Sequence, residues 1–185
     1  MLYSSRMTIK TTIIIILSAT LNLNLIAQER RSSPLSLATT RYKDTYVKIV
    51  YSQPQKKGRD IFGQLVPFGE VWRTGANEAT EMTVTTDIMI DSQQLKAGTY
   101  SIFTIPNENA WTIIINADLG LWGSYNYNPK RDVLRIQAPV RLQPETLEAF
   151  TIGFEPRNNV ADWYFQWDKT KVIVPIQFVE PKPKP

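Results

Sequence analysis

Between positions 70 and 78 the chain reads EVWRTGANE, which brings two carboxylates, Glu70 and Glu78, together with the guanidinium of Arg73, the amide of Asn77 and the indole of Trp72. Two acids in unlike environments can divide the acid and base roles of a hydrolase, and an arginine between them can orient a substrate or lower a carboxyl pKa. Cleavage of a glycosidic bond needs such carboxyls about 5 to 10 Å apart, a distance that a spacing of eight residues does not fix. A second group follows at Trp122, Tyr125 and Tyr127, set among Asn126 and Asn128. Flat rings of this kind cover the apolar face of a sugar while neighbouring amides satisfy its hydroxyls. Each feature also has a purely structural account. Loop aromatics, Trp72 among them, order a loop by burying their area, and Arg73 with Glu78 can close the turn at residues 74–77 as a charge pair.

The residues that are missing narrow the chemistry further. The sequence holds no cysteine and no histidine. Disulfides, thiol nucleophiles, thiolate metal sites, serine triads and histidine-based acid/base catalysis are therefore excluded. No glycine spacing matches a phosphate cradle or a nucleophile elbow. Asp87, Asp91, Asn116 and Asp118 could offer oxygens to calcium, yet they lack the spacing of a calcium loop and read as solvated loop acids, so no metal and no cofactor is expected. The formal charge of +4 falls to about +2 once Arg6 and Lys10 are set aside as leader residues. That is no footprint for nucleic acid.

The elements that must position these groups read as strands. Apolar β-branched and aromatic residues alternate over residues 46–51, 80–90 (as one long strand or two), 99–105, 111–116, 133–138, 150–155, 161–167 and 172–178, each bounded by turn formers. No helical period lasts three turns. About eight short strands without connecting helices predict one antiparallel, all-β domain over residues 34–178, a β-sandwich or jelly roll. Trp111, Trp163 and Trp167 fall on strand positions and read as core. Residues 95–100 predict a turn opening a strand, and residues 107–109 a hairpin loop. Between the first two strands, residues 58–80 carry four glycines among Phe62, Phe68 and Trp72, the pattern of a long loop pinned to a scaffold.

The ends read differently. Arg6 and Lys10 precede an apolar run that closes at Ala27, and Asn22 and Asn24 make that run too short and polar for a spanning helix. A secretory leader at residues 1–27, cleaved after Ala27, is expected, with export to the periplasm or the exterior and no membrane association beyond it. Residues 179–185 read as a disordered Pro/Lys tail.

The stretch from Gly58 through Phe62, Gly63, Pro67, Gly69, Trp72, Arg73, Gly75, Asn77 and Glu78 to Thr80 closely resembles the defining segment of a family of exported bacterial proteins catalogued as domain of unknown function 2911. Residues 95–106, 122–127 and 132–135 fit the same pattern. The resemblance implies an exported all-β domain and carries no assigned activity or site. Taken together, the residues favour a non-catalytic carbohydrate or small-ligand module with Trp72, Arg73, Asn77, Glu78, Trp122, Tyr125 and Tyr127 as binding residues. The alternatives are a carboxylate hydrolase built on Glu70, Glu78 and Arg73, and an adhesive envelope protein whose partner is another protein.

Overall fold

Period-two alternation of isoleucine, valine, threonine and aromatics leaves the backbone little choice but the extended state, because branched side chains pack best on a pleated surface. In a computed structural model, which describes residues 31–179, that alternation becomes nine strands. They are β1 (Leu35–Tyr42), β2 (Thr45–Ser52), β3 (Ala76–Val84), β4 (Ile88–Ile90), β5 (Gln93–Leu95), β6 (Gly98–Ile105), β7 (Ala110–Asn116), β8 (Asp132–Arg157) and β9 (Val160–Phe178). The only helical turn among the described residues is the 3-10 segment Pro129–Arg131. All ladders are antiparallel, and the order is β1-β2-β3-β6-β7-β8-β9-β4-β5. The expected leader, and the expected tail from residue 180 onward, lie outside the described residues.

Three details depart from the sequence expectation. Residues 133–138 and 150–155 belong to one strand, β8, which pairs with β7 up to Pro139 and with β9 from Val140 onward. Register shifts between Leu142 and Thr151 mark where it bends, and interrupted pairing there hid its continuity from the periodic pattern. Residues 161–167 and 172–178 likewise fuse into β9. Residues 80–90, read as one long strand or two, are two, β3 and β4, around a turn. Strand β1 escaped notice because its pattern is inverted: Leu35 and Leu37 face solvent at 64% and 60% exposure, while the small Ala38 and Thr40 face inward. The hairpin at residues 107–109 joins β6 to β7 as expected.

One large core draws on every strand, from Ala38 and Ile49 to Ile88, Leu95 and Ile176. Tyr42 of β1 stacks on Phe178 of β9 at 5.6 Å although five strands separate them in the order, so the sheet curves enough to bring these two strands into contact. Trp111, Trp163 and Trp167 are buried, as their strand positions predict. The long connection between β2 and β3 is fastened from within: Ile61, Phe62, Val66 and Trp72 all reach this core. Trp72 stacks on Trp167 at 6.1 Å and meets Phe150 edge-on at 4.9 Å, and Phe62 lies 4.9 Å from Trp111. Aromatic pairs at such separations add about 0.5 to 1.5 kcal/mol each beyond the area they bury. The loop is therefore as fixed as the strands it joins.

Candidate functional site

The two segments singled out by residue type meet. Trp122 forms an antiparallel bridge with Glu78, flanked by hydrogen bonds from Ala79 N to Leu121 O at 2.8 Å and from Gly123 N to Asn77 O at 3.0 Å. Residues 121–127 thus cross the first residues of β3 as a short strap. Beneath the strap lies a second, small apolar cluster of Ala79, Phe103 and Ile114, on which Leu121 and Tyr127 fold. Period-two geometry then turns the neighbour of Leu121 the other way. Trp122 is 58% exposed and Tyr125 83% exposed. Gly123 sits at φ +66°, and a Cβ there would lie 2.7 Å from the Tyr125 ring, so the ring rests where only a glycine leaves room.

Beside the strap, the chain enters β3 through a tight turn. Trp72 pairs with Thr104 of β6, and its indole N–H donates to Gly75 O at 3.0 Å. Thr80 closes the turn twice, from its amide to Arg73 O at 3.2 Å and from its hydroxyl to Thr74 O at 2.7 Å. Thr74 is fully buried at φ +57°, a costly conformation for a β-branched residue, and its hydroxyl donates to that of Thr104 at 3.2 Å. Asn77 is left-handed at φ +58°, which asparagine tolerates. Gly75 passes so close to β2 that a Cβ would come within 2.9 Å of Ser52 O.

Several expected roles change on inspection of these contacts. No ion pair joins Arg73 to Glu78 among the described residues, because the turn is closed by backbone and threonine hydroxyls instead. Glu78 Oε2 accepts from Ser52 Oγ at 3.4 Å, and Asn77 Nδ2 donates to the same hydroxyl at 3.4 Å. Arg73 is half-buried, with its Nε sealed from solvent and without an acceptor. Burial holds the guanidinium below its usual range, opposed by the charge of the Tyr125 phenolate form nearby. Trp72 belongs to the core rather than to an open face. Tyr127 is a staple: its ring meets Phe103 at 5.0 Å and its hydroxyl donates to Asp132 Oδ2 at 2.7 Å. Burial, then the Asp132 hydrogen bond and charge, push its phenol up to about 12. Glu70 is exposed next to Gly69, which bonds Pro106 O at 2.9 Å, and it shares no partner with Glu78 among the described residues.

Asp87 accepts from Lys96 Nζ at 2.8 Å, and Asp118 from Arg131 Nε at 2.9 Å. Among the described residues no group of three acids is placed to hold a metal. A cavity of about 600 Å³, which residue type alone did not indicate, opens between the first half of the glycine-rich loop and the β6–β7 hairpin; Asp60, Phe62, Phe68, Asn109, Trp111 and Thr170 are among its lining. Trp111 is buried there with no acceptor for its indole N–H. The glycines and aromatics of residues 58–68 were the available signal for it.

A nine-stranded antiparallel scaffold whose long connection and strap are both locked by glycine-dependent contacts defines an all-β protein. The chain belongs to the family described as Protein of unknown function (DUF2911), whose model matches residues 33–176. No curated protein and no solved structure matches it.

Proposed function

We propose that this is an exported β-sandwich protein that binds a carbohydrate on Trp122 and Tyr125 without turning it over. One observation carries the reading: the strap packs Leu121 and Tyr127 inward yet holds the rings of Trp122 and Tyr125 outward from a hydrogen-bonded backbone. A ring exposed by accident lies on mobile chain, whereas a platform must be rigid before its ligand arrives, since ordering it on binding would consume affinity. Asn77, held within the same seam, and Asn126 supply amide groups at its rim. The sandwich assignment draws support from the partner exchange of β8 and the Tyr42–Phe178 contact, and export from the leader-like sequence of residues 1–27.

Against a hydrolase stands the exposed position of Glu70, whose side chain no contact among the described residues holds in place toward Glu78 or Arg73. A second reading places a small ligand in the cavity beside Trp111, favoured by its unpaired indole N–H. One titration separates these readings. Soluble glycans should change the tryptophan fluorescence, and Trp122→Ala should abolish the change while shifting the melting temperature by no more than about 2 °C, as for a surface substitution. A change that survives Trp122→Ala points to the cavity. Release of reducing ends, lost in Glu78→Gln, would establish the hydrolase instead; a single envelope protein retained by the immobilised protein, with no glycan bound, would favour adhesion.

A further inference from the structure

Taking Trp122 and Tyr125 as a sugar platform, we propose that the ligand is an acidic glycan and that Arg73 receives its anionic substituent, a proposal that rests on the sugar-binding reading. Two of the other half-buried cations among the described residues are paired: Lys56 with Asp168 at 2.8 Å and Lys171 with Glu155 at 2.9 Å, each lysine side chain only 17% exposed. Arg73 has the burial without the partner. Its Nε is closed off from water and accepted by nothing, and no carboxylate among the described residues pairs with it. Removing part of a charge's hydration without supplying a counter-charge is unfavourable, and the turn contacts of Thr80 fix the backbone from which the side chain departs. The two outer nitrogens of the guanidinium, unlike Nε, are not sealed, and an anion from outside that meets them relieves that cost. The planar guanidinium suits a carboxylate or sulfate presented edge-on, in a way that an ammonium does not.

The neighbourhood fits a charged sugar better than a free ion. Arg73 stands at the entry to β3 that the strap crosses, its carbonyl bonded by Thr80 N while Glu78 bridges Trp122, so a sugar lying on the exposed rings of the strap has this guanidinium as a neighbouring cation. Glu78, the adjoining acid, is engaged with the Ser52 hydroxyl. A uronic acid and a sulfated sugar present the same chemistry to this site.

The test pairs each acidic oligosaccharide with its charge-free form: oligogalacturonate and oligoalginate with their methyl esters, and a sulfated galactan with its desulfated product. At low salt the purified protein should bind at least one acidic member about tenfold or more tighter than its neutral twin, the gain of a charge-assisted hydrogen bond, and added salt should erode the difference. Arg73→Gln should bring the pair to within about twofold, and Arg73→Lys should restore only part of the preference. Thermal melts of both variants establish that they fold, and the salt dependence of the unaltered protein stands even if one does not. Equal affinity for acidic and neutral twins, or a preference that persists in a folded Arg73→Gln protein, overturns the acidic-ligand proposal and leaves the sugar platform intact. Absence of binding to every member overturns both. Retention of the uronates or of the sulfated galactan alone identifies which substituent the site accepts.

Discussion

Two glycines control the site at the scale of single residues, and they do so differently. Gly75 has no room for a side chain because the obstacle is the β2 backbone at Ser52 O, which cannot move without breaking the ladder. Gly75→Ala is expected to lower stability by about 1 to 3 kcal/mol, the cost of overpacking, measured by urea denaturation. At Gly123 the obstacle is the exposed ring of Tyr125, which can swing away, and the positive φ adds a cost of about 1 kcal/mol. Gly123→Ala should therefore lose only that modest stability while displacing Tyr125 and weakening ligand binding. A loss of stability equal to that of Gly75→Ala, with binding retained, would contradict this account.

Among the elements, the strap and the long β2–β3 connection are each held by one dominant anchor. For the connection it is Trp72, packed among Phe62, Trp111, Phe150 and Trp167. Trp72→Ala should cost about 3 to 5 kcal/mol, far more than Trp122→Ala, although both residues are tryptophans in glycine-rich segments. For the strap it is Tyr127, tied to Asp132, which Arg135 also contacts at 2.9 Å. Its folded-state phenol titrates near 12 against an ordinary value of about 10. Stability from this group is thus fully present below about pH 10 and is lost as pH rises toward 12, because the unfolded chain gives up the proton first. Tyr127→Phe should cost about 1 kcal/mol at neutral pH and flatten the alkaline limb of the stability profile. An unchanged alkaline limb in that variant would place the pH sensitivity elsewhere.

Across the whole molecule, β8 and β9 are shared property. One end of β8 completes the ladder begun by β1, β2, β3, β6 and β7, the other pairs with β9, and β9 carries β4 and β5. Neither part retains its edge or its core if the other opens, since Trp111, Trp163, Trp167 and Phe150 lie in one cluster. Unfolding of residues 33–179 should accordingly be all-or-none: denaturation followed by tryptophan fluorescence and by far-ultraviolet circular dichroism should give coincident curves. Two separated transitions would show that the β4–β5–β9 portion opens alone.

Much of this was legible in the order of residues. Alternation of branched and aromatic side chains specified extended chain, placed Trp111, Trp163 and Trp167 inside, and, with glycines between large rings, marked residues 58–80 and 122–127 as special; the family followed from the same stretches. A two-residue period reports which side chains share a face and nothing about what covers that face. So β1, whose outward residues are leucines and whose inward ones are small, could not be seen, and the partner exchange within β8 left no periodic trace. Only tertiary pairing decided that Trp72 and Tyr127 turn inward while Trp122 and Tyr125 turn out, because Trp72 is placed by its backbone pairing with Thr104 and the strap by hydrogen bonds between residues 77–79 and 121–123, partners far apart along the chain. It likewise left Arg73 without the partner that Glu78 seemed to offer, since closing a turn through its own hydroxyls and amides holds the backbone without bringing the two charges together.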